Sequence, residues 1–247
     1  MSKKTSNARE KAAAVRAAQA RAERTRRWTI AGVVAVVVAL IIGGAVWFAN
    51  QDPTGQSSTT STGTASGTPS GADGFGVVVG QADAPTKAVI YEDFQCPVCK
   101  AFEDATTQQV NDGIANGKVR VEYRMVSFLD TASENQYSSR AANAAAAVLD
   151  TAGVEAFKKF HDTLYANQPE EGTAGPDNNQ LIEWAVEAGA DREQVSSAIE
   201  QGTFDQWVVD ATDAMSKNGV TGTPTILIDG QKLDPQQGMQ RLLAASG

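Results

Sequence analysis

The sequence predicts an α/β domain in the C-terminal part of the chain, preceded by a single transmembrane helix and a disordered linker. Three observations predict this arrangement: an uncharged, largely apolar run at residues 28–49, a Ser/Thr/Gly-rich stretch at residues 50–73, and mixed strand-like and helical patterns over residues 74–247. These last patterns follow the order β, β, α, β, a helical block, β, β, α. A helix that connects two parallel strands makes a right-handed crossover, which builds a layered α/β core.

The first 27 residues are basic, with nine Lys or Arg residues and two Glu residues. The apolar run that follows is long enough for a membrane span, since about twenty apolar residues cross a hydrocarbon core of ~30 Å. Because the basic flank precedes the run, we expect residues 1–27 in the cytoplasm and the domain outside the cell membrane, in a single-pass topology. A cleaved signal peptide is the alternative. Its apolar core would be shorter, and Gly43-Gly44-Ala45 is only a weak cleavage site.

The stretch at residues 50–73 consists almost entirely of Ser, Thr, Gly, Ala and Pro. Such a composition cannot bury enough apolar surface to fold, so we expect a flexible tether. A tether of this length has a root-mean-square span of ~25–30 Å. It would let the domain sweep the membrane surface while staying attached through residues 28–49.

The chain beyond residue 27 is acidic, with 12 Lys or Arg residues and 27 Asp or Glu residues. A nucleic acid backbone requires a basic surface, so this charge argues against nucleic acid as a partner. The same charge keeps the domain away from anionic lipid headgroups. Contact with the bilayer is therefore expected only through residues 28–49.

The first half of the domain predicts three strands and one helix. Short apolar runs predict strands at Phe75–Val79 and Thr86–Phe94. Apolar residues at helical spacing predict a helix at Pro97–Ile114, which Asn116-Gly117 would end. β-branched and polar residues alternate at Lys118–Val126, as in a core strand.

The second half of the domain is mainly helical. Between residues 133 and 218, Gly and Pro interrupt the helical pattern and divide it into segments at 134–151, 154–166, 178–188, 192–201 and 203–218. Strand character returns at Pro224–Ile228, and Asp229-Gly230 predicts a tight hairpin into Gln231–Leu233. A last helix is predicted from Pro235 to Ala245.

The two cysteines of the chain, Cys96 and Cys99, lie where the second predicted strand gives way to the first helix. Two thiols at this spacing close and open a small disulfide ring, so the predicted chemistry is thiol–disulfide exchange. A cysteine in the first turn of a helix faces unpaired N–H groups and the positive end of the helix dipole, which favour the thiolate. Structural zinc needs four ligands, mostly Cys or His, and the chain has one His. We therefore expect no metal here, and an ordinary helical position for His161.

The segment DFQCPVC at residues 93–99, together with GTPT at residues 222–225, resembles the DsbA-like branch of the thioredoxin superfamily, in particular its membrane-tethered bacterial thiol–disulfide oxidoreductases. The element order from Phe75 onward matches as well. The resemblance implies a thioredoxin fold with a helical insertion at about 133–218. It also implies that Cys96 is an exposed attacking thiolate, that Cys99 is a buried resolving thiol, and that no cofactor is needed.

The resemblance further implies that Thr223-Pro224 forms a loop with a cis peptide bond beside the cysteines. There the Thr223 backbone pairs with an extended substrate. The implied partners are unfolded or reduced secreted proteins and a quinone-linked membrane protein of the DsbB or VKOR type. Two other functions remain open: a reductase or isomerase kept reduced by a membrane electron donor, and a tethered binding or chaperone module without enzymatic activity.

Three residues near the cysteines are candidates for tuning their reactivity. Pro97 and Val98 lie between the two thiols. Relatives often carry His at the Val98 position, and valine donates no hydrogen bond, so we expect a less oxidising disulfide. Many relatives also bury an acid six residues before the first cysteine, where this chain has Ile90. Glu92 faces the same side of the strand. It either assists proton transfer to Cys99 or is a solvated strand-end glutamate, and the second interpretation is preferred.

Overall fold

A computed structural model of the chain describes residues 67–247. The predicted basic segment, the transmembrane helix and most of the linker fall in residues 1–66, outside the described residues, and stay predictions. Among the helices of residues 67–247, none is both long enough and apolar enough to cross a membrane.

The described part contains six strands and six helices. The strands are β1 (Ala72–Asp73), β2 (Gly76–Val79), β3 (Thr86–Glu92), β4 (Val119–Met125), β5 (Thr225–Ile228) and β6 (Gln231–Leu233). The helices are α1 (Pro97–Ala115), α2 (Tyr137–Ala166), α3 (Asn178–Ala188), α4 (Arg192–Glu200), α5 (Asp205–Lys217) and α6 (Pro235–Ser246), with a short 3-10 turn at Asp130–Ala132.

The strands form one mixed sheet in the order β1-β2-β4-β3-β5-β6. Strands β3 and β4 are parallel and α1 connects them, whereas the other neighbouring pairs are antiparallel. Helices α2 to α5 follow β4 and precede β5. The α/β class, the crossover at α1 and the helical insertion are thus confirmed.

The register of the central strands brings two distant parts of the chain together. Ile90 of β3 lies opposite Tyr123 of β4 on one side and Ile226 of β5 on the other. Because β5 is antiparallel to β3, the start of β5 lies beside the end of β3, where Tyr91 pairs with Thr225. The loop before β5 therefore meets the turn that follows β3.

The two faces of the sheet are covered by different helices. Helices α1, α2 and α6 cover one face, which carries Ile90 and Tyr123 in the main core. Helix α5 covers the other face, where Met215 packs with Tyr91. The α1–α6 contact is so close that a Cβ at Gly113 would lie 2.8 Å from the Cβ of Ser246.

Two boundaries differ from the sequence-based expectation. Ala72–Asp73, placed at the end of the linker, pairs with β2 as strand β1, so the sheet begins before residue 74. The segments predicted at 134–151 and 154–166 form the single element α2, in which Gly153 has a left-handed φ of 79°. Gly153 therefore kinks the helix where the sequence predicted a break, because glycine adopts this conformation without a steric penalty.

Candidate active site at the start of helix α1

The two cysteines lie at the start of α1, directly after the turn that ends β3. Cys96 is the N-cap residue of the helix and Pro97 occupies its first turn. Proline suits this position because the N–H that it lacks would have no partner within the helix. Both cysteines are free thiols in this structure. The first helical turn thus presents Cys96 and Cys99 to each other.

The Thr223–Pro224 loop lies against Cys96, as the sheet register requires. The peptide bond between these residues is cis. The Cys96 sulfur lies 3.4 Å from the carbonyl oxygen of Thr223, to which its protonated thiol form donates a hydrogen bond. The structure therefore brings together all four residues that the resemblance placed at the reacting centre.

The exposure of the site differs from the expectation for Cys96. This residue is only 5 % exposed, whereas an open position was predicted. The cause is its close contact with the Thr223–Pro224 loop and with the core around Cys99. The adjoining Pro97 is exposed and Val98 is 52 % exposed. Cys96 therefore lies just beneath an apolar surface, where a substrate must approach closely to reach the sulfur.

The pKa values of the two thiols are shifted in opposite directions. The hydrogen bond from the Cys99 thiol lowers the pKa of Cys96 to about 6; burial opposes this effect, and the N–H groups of Val98 and Cys99 support it. Burial, followed by the bond to Cys96, raises the pKa of Cys99 well above its usual range. At neutral pH the pair therefore holds one thiolate, on Cys96, and one thiol, on Cys99. The sequence predicted the helix contribution but not that of the second cysteine.

Alkylation of the reduced protein should follow the acidity of Cys96. We expect the rate of reaction with iodoacetamide to reach half its maximum near pH 6, because the thiolate is the reacting form. Peptide mapping should find the label on Cys96. In Cys99→Ala the midpoint should move to higher pH, since the main stabilising hydrogen bond is gone. A midpoint near 8.5, the ordinary value for cysteine, in the unaltered protein would contradict the assignment.

The helical insertion contacts the active-site turn through two glutamines, Gln95 and Gln168, which we call the glutamine clasp. The side-chain N–H of Gln95 donates to the carbonyls of Pro169 and Glu170 at 3.4 and 3.2 Å. That of Gln168 donates to the Cys96 carbonyl at 3.0 Å. The loop after α2 is therefore fastened to the residue that carries the low-pKa sulfur.

Comparisons with known proteins agree with this geometry. A thioredoxin family model matches residues 73–245. The crystal structure of oxidised DsbA from Mycobacterium tuberculosis superimposes with a TM-score of 0.59 at 33% sequence identity, over 70% of this chain and 93% of that protein. The chain belongs to the DsbA-like branch of the thioredoxin family. The resemblance in the sequence is thereby confirmed.

Curated relatives of this DsbA-like domain are of two kinds. Disulfide bond formation protein D of Bacillus subtilis is 26% identical over 154 residues, which are 62% of this chain and 67% of that protein. Serine/threonine-protein kinase PknE of Mycobacterium tuberculosis is 28% identical over 158 residues, or 61% of this chain. The chain spans only 28% of the length of that kinase. The second similarity therefore concerns one part of a larger protein.

Asp93, in the turn of the DsbA-like domain, anchors three segments of the chain. One of its carboxylate oxygens accepts hydrogen bonds from the Gln95 N–H at 2.8 Å and the Ser138 hydroxyl at 2.7 Å. The other accepts from the Leu129 N–H at 2.8 Å. The side chain is fully buried. Asp93 was not among the site residues predicted from the sequence, although an acid directly before an active-site turn is a recognisable capping signal.

Glu92 and His161 overturn two sequence-based interpretations. Glu92 is 1 % exposed, so the solvated strand-end interpretation was wrong. His161 of α2 is fully buried, and its Nε2 lies 2.6 Å from Oε1 of Glu92, so it is not an ordinary helical position. Glu103 of α1 lies beside them, and each of the three offers an atom within 4.8 Å of the others. The DsbA-like domain thus buries a cluster of three titratable groups between β3, α1 and α2.

Proposed function

We propose that this chain is a membrane-anchored, extracytoplasmic protein-disulfide oxidoreductase that exchanges a Cys96–Cys99 disulfide with the thiols of secreted proteins. The observation that carries the proposal is the placement of two free thiols in the first turn of a helix, with the Cys96 sulfur 3.4 Å from the carbonyl oxygen of Thr223. The opposite pKa shifts of the two thiols support it. The apolar run at residues 28–49 supports the anchor. The similarity to DsbA and to disulfide bond formation protein D supports the exchange reaction.

The exchange proceeds in two displacements. A substrate thiolate attacks the Cys96 sulfur, the S–S bond breaks, and Cys99 leaves with the electron pair and takes up a proton. A second substrate thiolate then attacks the substrate sulfur of the mixed disulfide, and Cys96 leaves as a thiolate. A leaving thiol with a low pKa departs faster, so a Cys96 pKa near 6 favours release of the oxidised substrate.

The residues that flank the two cysteines would contact the substrate and take no part in the covalent steps. Thr223 offers its backbone to an extended substrate segment, and Pro224 keeps that loop against the thiols. Pro97 and the exposed Val98 form the surface over which the substrate approaches. A quinone-linked membrane partner of the DsbB or VKOR type would reoxidise the pair. Tethering at residues 28–49 keeps the domain near such a partner.

The decisive experiment follows disulfide formation in a reduced, unfolded secretory protein after addition of the oxidised full-length chain in membrane vesicles. We expect the substrate to gain disulfides in proportion to the chain added, and the chain with both thiols alkylated to be inactive. Equal effects of the alkylated and unmodified chains would instead indicate a binding or chaperone module.

Equilibration with glutathione tests the direction of electron flow. For a dithiol oxidase we expect a reduction potential well above that of thioredoxin, which is about −270 mV. A tenfold change in the equilibrium constant corresponds to about 30 mV for two electrons, so the measured reduction potential clearly distinguishes an oxidase from a reductase or isomerase. A value at or below that of thioredoxin would reject the oxidase and favour the reductase or isomerase.

A further inference from the structure

Three buried side chains from three different elements converge where β3, α1 and α2 meet. Glu92 is the last residue of β3, Glu103 lies in α1 and His161 lies in α2. All three are buried, and each offers one donor atom within 4.8 Å of the atoms that the other two offer. The fold therefore gathers two carboxylates and one imidazole at a single point in the core.

The carboxylates of this cluster outnumber its basic groups. Nε2 of His161 lies 2.6 Å from Oε1 of Glu92, and Glu103 accepts a hydrogen bond from the Thr107 hydroxyl at 2.7 Å. Among residues 67–247, no Lys or Arg forms an ion pair with Glu92 or Glu103. A buried charge is costly unless a charged partner or a metal compensates it. A cation would compensate the second carboxylate of the cluster.

Glu92 also has a carboxylate oxygen that the described part of the chain leaves unsatisfied. Its Oε2 is buried and has no hydrogen-bond partner within residues 67–247. The same carboxyl group presents Oε1 to Nε2 of His161, so the unsatisfied oxygen lies at the cluster itself. Because an unpaired buried acceptor is uncommon in folded proteins, it indicates a further partner, such as an ion.

Asp162 fixes the orientation of the imidazole. Its Oδ1 lies 3.2 Å from Nδ1 of His161, and since a carboxylate can only accept, Nδ1 carries the hydrogen. Asp162 is itself held by the Asn111 side chain at 3.1 Å and by an ion pair with Lys158. Histidines that bind a metal almost always donate their other ring N–H to a carboxylate, a carbonyl or a water in this way. Nε2 is thereby directed at Glu92.

A groove between α1 and α2 gives a cation access to this cluster. It has a volume of about 490 Å³, and Glu103, Asp104 and Asp162 contribute to its lining. Lys100 pairs with Asp104 and Lys158 pairs with Asp162, which leaves Glu103 as the carboxylate of these three without a basic partner within residues 67–247. Glu103 thus connects the acidic groove with the buried imidazole.

We propose that Glu92, Glu103 and His161 bind a divalent cation of the zinc type, which joins β3, α1 and α2. His161 coordinates through Nε2, Glu103 through one carboxylate oxygen, and Glu92 through Oε1 together with the unsatisfied Oε2. The cation takes the place of the proton between Nε2 and Oε1. The sequence argument against zinc counted only Cys and His as ligands, whereas this cluster supplies carboxylates. The site does not depend on the exchange function proposed above.

The donor set and the spacing select this class of cation. Imidazole and carboxylate ligands suit Zn²⁺, whereas Mg²⁺ and Ca²⁺ prefer oxygen ligands alone. Zinc ligands lie about 2.0–2.2 Å from the metal, so two of them are roughly 3.3 Å apart in a tetrahedral site. The contact between Nε2 and Oε1 is shorter, at 2.6 Å, and no donor atom of the cluster is more than 4.8 Å from another. Small side-chain rotations therefore complete the site.

The test measures thermal unfolding of the full-length chain in detergent micelles, with ZnCl₂ as the added metal and MgCl₂ as the control. Both cysteines are replaced by serine in every protein, because free thiols also bind zinc, and no histidine tag is attached. At a free zinc concentration of about 100 times the Kd, we expect the unfolding midpoint to rise by about 5–10 °C. Magnesium should leave the midpoint nearly unchanged. No rise with zinc, or equal shifts with the two metals, would overturn the proposal.

Substitutions around the cluster should weaken zinc binding in a graded order. Asp162→Asn weakens the hydrogen bond that orients the imidazole, and we expect a loss of affinity of about 10–100-fold. Glu103→Gln removes a ligand and should cost at least as much. The matched control is Asp104→Asn, which removes a carboxylate of the same groove that pairs with Lys100. It should bind zinc like its parent chain. Equal losses in Glu103→Gln and Asp104→Asn would place the metal in the groove and overturn the cluster site.

The single histidine of the chain gives a direct readout of ligation. In protein labelled with ¹⁵N at histidine, both ring signals come from His161. Zinc should shift the Nε2 signal and leave the Nδ1–H group bonded to Asp162. Stabilisation by zinc with unchanged ring signals would show that the metal binds elsewhere.

His161→Gln should lose the zinc-dependent rise of the unfolding midpoint. If this variant does not fold, Glu103→Gln decides, because glutamine keeps an oxygen that accepts from the Thr107 hydroxyl. None of these readouts measures disulfide exchange. A failure of the proposed function would therefore leave the result for the metal site unchanged.

Discussion

In a Cys99→Ser variant, we expect the Cys96 thiolate to attack disulfides of added substrates and to displace one substrate sulfur as a thiolate, so that the chain accumulates as a mixed disulfide through Cys96. The serine hydroxyl can still donate a hydrogen bond to the Cys96 thiolate, so the nucleophile stays active. The adduct persists because residue 99 no longer has a thiol to displace the bound substrate. Non-reducing electrophoresis, followed by mass spectrometry of the linked peptides, measures the trapped fraction.

The matched variant Cys96→Ser should give neither adduct nor exchange. Removal of a catalytic nucleophile commonly costs at least about 1000-fold in rate, so its activity should fall to background. The buried, high-pKa Cys99 cannot substitute for Cys96, since it is 1 % exposed. Adducts that form through Cys99, or full activity in either variant, would contradict the assignment of Cys96 as the attacking thiol and Cys99 as the resolving thiol.

Replacement of Asp93 should cause the largest loss of stability among the residues around the site. Asp93→Ala leaves the Gln95 N–H, the Leu129 N–H and the Ser138 hydroxyl without their acceptor. Each unsatisfied buried donor costs about 1–3 kcal/mol, so the free energy of unfolding should fall by roughly 3–5 kcal/mol. Urea unfolding at pH 7 measures this loss. Asp93→Asn should lose less, because the amide keeps one acceptor oxygen.

The pH dependence of this loss has a definite sign. Burial raises the pKa of Asp93 to about 6 in the folded protein, above the unfolded value of about 3.9. The folded state therefore binds more protons between these values, and the contribution of Asp93 to stability grows as the pH falls from 7 toward 4. The difference between the unaltered chain and Asp93→Ala should widen over that range by up to about 3 kcal/mol. If the difference in free energy of unfolding between the two proteins instead becomes smaller on acidification, the raised pKa of buried Asp93 is wrong.

The parts of the fold that local patterns determine could be predicted from the sequence. The alternation at Lys118–Val126 and the helical spacing after Pro97 correspond to β4 and α1 within one or two residues. The same holds for the hairpin at Asp229-Gly230. These elements could be predicted because a strand or a helix imposes its own period on its side chains.

The contacts that define the site depend instead on packing between remote segments. Glu92 and His161 are 69 residues apart and Asp93 and Ser138 are 45 apart, so no local period reveals either pair. One signal was present: Glu92 shares a strand face with the apolar Ile90, which argued for burial. The Thr223–Pro224 loop was found only through the resemblance, because a Thr-Pro pair by itself fits many turns.

The glutamine clasp has a consequence for the kind of protein that can react. Moving the insertion away from the active-site turn to admit a folded substrate would break the hydrogen bond from Gln168 to the Cys96 carbonyl. The adaptability that docking needs must then come from the client. Under the proposed function, this favours cysteines in segments that are still extended, so the choice among substrates would be set by how long each cysteine stays in a chain that has not yet folded.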